Sequence, residues 1–89
     1  MPRVSAFYGI VITMFHNEDI HPGRPHFHAD FAGVSASYDI ETLEPIVGRL
    51  PRRSHRLVVK WARLHRGELL QNWRRCRVHE PLLPIDPLR

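Results

Sequence analysis

The chain has 89 residues, 43% of them hydrophobic and 25% charged, with a net charge of +4 and a single cysteine. That length makes one domain with a thin core, and the composition is globular rather than disordered. Cys76 alone excludes an internal disulfide and a cysteine-only metal cage and suits a reducing compartment. The longest apolar stretch, Ile10-Val11-Ile12 before Thr13, falls far short of the ~18 residues that a membrane span needs. The opening MPRVSAFYG lacks a basic segment leading into a long apolar run, so no secretory signal is expected and the cytoplasm is the expected compartment.

In chain order, Tyr8 to Phe15 reads as a first strand, rich in β-branched and aromatic residues. Asn17 to Pro25 collects Asn, Asp, Gly and two prolines and reads as a long loop. His26 to Phe31 is the second strand and Ala32-Gly33 its turn. Val34 to Ile40 is the third, with Val34, Ala36, Tyr38 and Ile40 alternating against Ser35, Ser37 and Asp39. Leu43 to Val47 makes a short fourth strand that Pro45 restricts to an edge. From Arg53 the period changes: Leu57, Trp61 and Leu64 form one apolar row, and Val58, Ala62, Leu69, Trp73 and Cys76 a second. Gly67 is the expected place for a bend or a boundary between two helices. Pro81, Pro84 and Pro87 then block regular structure, and Leu82, Leu83, Ile85 and Leu88 predict that this end packs on the sheet or a neighbour. The expected fold is α+β: residues 1–48 a three- or four-stranded antiparallel meander, 52–78 one bent or two consecutive helices, and 79–89 a proline-rich extended tail.

On the second strand His26, His28 and Asp30 share one face and Phe27, Ala29 and Phe31 the other. A hairpin about Ala32-Gly33 would set Ser35 and Ser37 opposite the histidines. Two histidines at i and i+2 with a carboxylate can ligate a transition metal, so His26, His28 and Asp30 are the metal candidates. The same side chains also suit a metal-free site that cleaves phosphodiesters. His26 and His28 would exchange protons, and Arg24 would stabilise the developing charge on the phosphoryl oxygens. The third reading is a polar strand surface whose histidines bond to Asp30, Ser35 or Ser37. The chain has no HExxH, GxSxG, GxxxxGK[ST] or GxGxxG, so no nucleotide cofactor is expected and no cofactor is required.

Charge is placed unevenly. Residues 1–48 carry two basic against six acidic side chains, whereas residues 49–77 carry ten basic ones against Glu68 alone. Arg56, Lys60 and Arg63 recur at helical spacing, Arg52 and Arg53 crowd the helix start, and Arg74 and Arg77 return to a similar face. Such a segment attracts a polyanion, either nucleic-acid backbone or an acidic protein; a merely solvated helix face is the plainer reading. Trp61 and Trp73 lie on the apolar rows and read as core anchors rather than base-stacking platforms.

The start MPRVSAFYGIVITMFHNE, the PHFHA run at 25–29, Asp39-Ile40-Glu41, GRLPRRSHRLVVKWARLHRGELLQNW at 48–73 and Pro84-Ile85-Asp86-Pro87-Leu88 together resemble a small bacterial family catalogued as domain of unknown function 4160. PHFHA and LHRGELLQNW are the most specific pieces. Typical members approach the histidine strand by a shorter path with two adjacent prolines, where this chain has NEDIHPGRPHFHA and Arg24 in place of the first. The positions that match the family's motif are His26, His28, His65, Glu68, Asn72 and Trp73. His65, Glu68 and Asn72 would share a polar helix face, either lining a site with the strand histidines or fastening the helix to the tail. The resemblance carries no assigned activity. It implies a neighbouring gene for another small family, an arrangement that looks like a toxin–antitoxin pair, and hence a small partner protein and a role directed at RNA.

Two functions are therefore expected from different classes. The first is an interaction module that binds a partner protein and nucleic acid, with homo-oligomers allowed by the thin core. The alternative is a metal-independent ribonuclease or other phosphodiester hydrolase using His26 and His28.

Overall fold

The computed structural model describes residues 3–15 and 24–89. Its strands are β1 (Arg3–Phe7), β2 (Ile10–Thr13), β3 (His26–Phe31), β4 (Val34–Asp39) and β5 (Pro45–Gly48). They form one antiparallel sheet in the order β1-β2-β3-β4-β5. The sheet thus has five strands rather than three or four. The extra one is β1, which precedes the stretch expected as the first strand; Tyr8 and Gly9, with φ angles of 49° and 78°, make the two-residue reversal that joins it to β2. Two successive positive φ values match the twist of paired antiparallel strands, and Phe7 folds back onto Ile10. Ala32 and Gly33 repeat the device at 49° and 81° between β3 and β4.

Two helices follow, α1 (Arg52–Leu64) and α2 (Arg66–Arg77). They separate at His65, not at Gly67. His65 leaves helical geometry with φ −123° and ψ 24°. Its N–H reaches back to the Trp61 and Ala62 carbonyls, and its own carbonyl accepts from Leu69 N–H. The residue closes one helix and opens the next, while Gly67 sits in the first turn of α2.

The core gathers between the sheet and the helices. Trp61 of α1 lies 5.2 Å from Phe7 and meets Phe27 edge-on at 6.0 Å, and Phe27 stacks on Tyr38 at 5.4 Å. Ile10, Ile12, Met14, Ile40, Val58 and Leu69 complete it, all fully buried. Leu64, expected in the apolar row, is instead 67% exposed, although Trp61 and Ala62 of the same turn are buried.

Residues 80–89 are neither helix nor strand. Ile85 is buried and its N–H donates to the Val4 carbonyl of β1 at 2.9 Å. Trp61 Nε1–H donates to the Asp86 carbonyl at 2.8 Å. No helix among the described residues is long and apolar enough to cross a membrane.

Candidate functional site

β3 and β4 pair so that His26 faces Asp39, His28 faces Ser37 and Asp30 faces Ser35. The polar face predicted by alternation is present, with serines opposite His28 and Asp30. His26 is wholly buried. Its Nδ1 lies 2.7 Å from the Arg24 carbonyl, which can only accept, so Nδ1 carries the proton. Trp73 of α2 packs 4.9 Å from the imidazole, and the His28 ring lies 5.4 Å away, roughly perpendicular. His28 is half-buried, stacked on Phe15 at 4.4 Å with rings 5° from parallel, and shares a hydrogen bond with Ser37 Oγ at 3.2 Å. Ser35 Oγ donates to Asp30.

Arg24 does not aim at these rings. Its Nε donates to Asp39 Oδ2 at 2.9 Å. Asp39 Oδ1 accepts from the amides of Glu41 at 2.7 Å and Thr42 at 2.9 Å. Burial alone would raise the Asp39 carboxyl, but those amides and Arg24 outweigh it and hold the group below its ordinary range. Asp39 thereby shapes the connection from β4 to β5. His16 and His21 lie outside the described residues. Among the described residues, no three His, Cys, Asp or Glu side chains converge to hold a metal ion.

The three polar residues expected on one helix face do different things. His65 Nδ1–H donates to Glu68 Oε1 at 2.6 Å, a local pair at the start of α2. Asn72 is buried and turns away from that pair. Its Nδ2 donates to the Leu83 carbonyl at 2.8 Å and its Oδ1 accepts from Leu83 N–H at 2.9 Å. The amide reproduces the bonding of a neighbouring strand and clamps the carboxy-terminal segment to α2.

Arg52, Arg53, Arg56, Lys60 and Arg63 are exposed on α1, which contains no acidic residue, and Arg74 and Arg77 are exposed on α2. Among the described residues, none of these seven takes part in an ion pair or a side-chain hydrogen bond. From Arg52 to Arg63 the α1 row runs roughly 16 Å at 1.5 Å per residue. Sequence reasoning missed what stands beside its first turn. A groove of about 800 Å³ is lined by Glu44, Pro45, Ile46 and Gly48 on the β5 side and by Arg49, Leu50, Arg52 and His55 on the other. His55 is anchored to the sheet: it shares a hydrogen bond with the Tyr38 hydroxyl at 2.8 Å, and burial pushes Tyr38 up to about 12, so that hydroxyl stays protonated. The only sequence signal for the groove was an edge proline, Pro45, followed closely by the helix-starting Gly48-Arg49-Leu50-Pro51.

Residues 9–74 match a family model described as Domain of unknown function (DUF4160). No curated protein and no solved structure matches the chain.

Proposed function

The chain belongs to that family, and from this premise we propose that it is a small cytoplasmic interaction module, one half of a toxin–antitoxin-like pair, that binds a partner protein and holds nucleic acid on the exposed face of α1. The observation that carries this reading is the row Arg52, Arg53, Arg56, Lys60 and Arg63, exposed and without an acidic counterpart on its helix. Holding like charges together on a short helix raises self-repulsion, and a polyanion relieves it. Phosphate contacts of this kind give affinity without sequence preference. The test is fluorescence polarisation with labelled single-stranded RNA and duplex DNA between about 50 and 200 mM salt. With about four phosphates engaged on duplex DNA, log K should fall with log salt at a slope near −3.6. The Arg56→Glu/Lys60→Glu variant should lose at least about ten-fold in affinity. A flat salt profile, or a variant that binds as wild type does, would sink the proposal.

One observation favours the hydrolase as a second reading: His28 is only half-buried and touches both Ser37 and His26. The burial of His26 and the engagement of Arg24 by Asp39 weigh against it. RNA cleavage lost in a folded His28→Ala variant would restore it, and equal cleavage by wild type and a His26→Ala/His28→Ala variant would dismiss it.

A further inference from the structure

We propose that the outer edge of β5 receives an extended acidic segment of the partner protein, which joins the sheet as an added strand and sets its carboxylates against Arg49 and Arg52. The inference deepens the interaction-module reading by saying where the protein partner docks, and it does not depend on the nucleic-acid contact.

The two edges of the sheet are treated differently. At β1 the carboxy-terminal segment is bonded to the edge through Ile85 and Val4. At β5, among the described residues, no strand pairs on the side away from β4. An open edge presents unpaired N–H and C=O groups, and proteins usually blunt one with charge, a bulge or a covering segment. β5 itself bears no charged side chain. Blunting is partial: the strand is four residues long, Pro45 removes one donor and the pairing with β4 shifts register between Ser37 and Tyr38. Yet among the described residues no strand takes up the main-chain groups turned away from β4, and Val47 is 53% exposed.

The groove supplies the rest. It lies between β5 and the start of α1, so a segment added at the open edge of β5 would lie beside it. Pro45, Ile46 and Leu50 offer apolar contact, and Arg49 and Arg52 offer positive charge against Glu44 alone. An added strand alternates its side chains, so apolar residues can meet the groove while main-chain groups pair with the edge. Charge selects among occupants. A second copy would present the same excess of basic over acidic side chains, Arg49 and Arg52 against Glu44, and so complements the groove less well than a carboxylate-bearing peptide does. Nucleic acid has no peptide ladder to offer β5. An extended peptide bearing carboxylates satisfies both the edge and the arginines.

The experiment is an amide-resolved NMR titration of the full chain with an end-blocked peptide of about eight residues alternating Val and Glu. A Val–Lys peptide of equal length is the control. The Val–Glu peptide should shift the amides of β5 and slow hydrogen exchange at those turned away from β4, and the Val–Lys peptide should not. Arg49→Gln/Arg52→Gln should weaken binding at least about ten-fold. Both side chains are exposed, so folding should be unaffected. Arg56→Glu/Lys60→Glu should bind the peptide as wild type does, although it loses RNA. The inference is overturned by equal binding of the two peptides, by shifts confined to the helices, or by no binding at all. It is also overturned by a peptide-free dimer whose β5 amides are already protected. RNA binding that survives such a failure leaves the broader reading standing, and peptide binding without RNA binding leaves this inference standing alone.

Discussion

At Asp39, burial and hydrogen bonding pull the carboxyl in opposite directions, and bonding wins. Its folded pKa therefore lies below the ~3.9 of an unfolded aspartate. The sign follows from linkage: Asp39 contributes its full stabilisation above about pH 4, and the contribution is lost as pH falls through the lower folded value. Urea unfolding between pH 2.5 and 6 should show this acid-side loss, and Asp39→Asn should flatten it and cost about 1–3 kcal/mol at pH 6. A variant with the same acid limb as wild type would mean that other carboxylates carry it. Asn72 poses a cleaner question, because its two hydrogen bonds both go to Leu83. Asn72→Ala should cost about 1–3 kcal/mol by removing both hydrogen bonds that the buried Asn72 side chain makes to the Leu83 main chain. Asn72→Asp should not rescue it, since a carboxylate keeps the acceptor, loses the donor and faces a carbonyl. Rescue by aspartate in chemical denaturation would show that the clamp is not what holds the segment.

At the scale of elements, Gly48 decides how β5 leaves the sheet. Its φ is +76°, and a Cβ there would run into the Ser35 carbonyl oxygen of β4. Gly48→Ala should cost about 1–2 kcal/mol from the left-handed backbone alone, and more once the collision is counted. Gly67→Ala is the control, because nothing lies within 4 Å of that position inside α2. It should be neutral or stabilising by up to ~1 kcal/mol. If the two substitutions moved the thermal midpoint alike, the close approach at Gly48 would be irrelevant. The same contrast explains what could be read from sequence. Alternation in β3 and β4 was legible because each strand separates apolar from polar side chains, and it placed His26, His28 and Asp30 on one face. It did not report that His26, Ser37 and Asp39 on the polar side are buried. The Tyr8-Gly9 turn was not legible, because tyrosine belongs to the strand vocabulary and a positive φ at a residue other than glycine leaves little local trace. The helix boundary was misplaced for a related reason. Gly67 is the stronger local signal, yet the break at His65 is stabilised by its bonds to Trp61, Ala62 and Glu68. The packing of Trp73 on His26 joins residues 47 apart in the chain, and no local pattern reports such a meeting.

The whole molecule is stitched together by its last ten residues. Ile85 bonds to β1, Asp86 accepts from Trp61 of α1, and Leu83 is clamped by Asn72 of α2, so one irregular segment touches the sheet and both helices. In a domain this small, total stability is only about 5–15 kcal/mol. Each bond contributes roughly 1 kcal/mol and the burial of Ile85 about 2 kcal/mol. A chain cut after Glu80 should therefore lose most of its margin. Trp61 Nε1–H and the Asn72 amide would lose their partners, and the fully buried Trp61 would gain water. The expected result is a red-shifted tryptophan fluorescence and loss of a cooperative thermal transition. Because a chain that fails to fold could do so for several reasons, Ile85→Ala in the full chain is the graded version. It should retain cooperativity and lose about 2–4 kcal/mol. Should the shortened chain melt cooperatively within a few degrees of the full one, the sheet and helices would be self-sufficient. The carboxy-terminal segment would then be free to leave β1 and expose a second sheet edge.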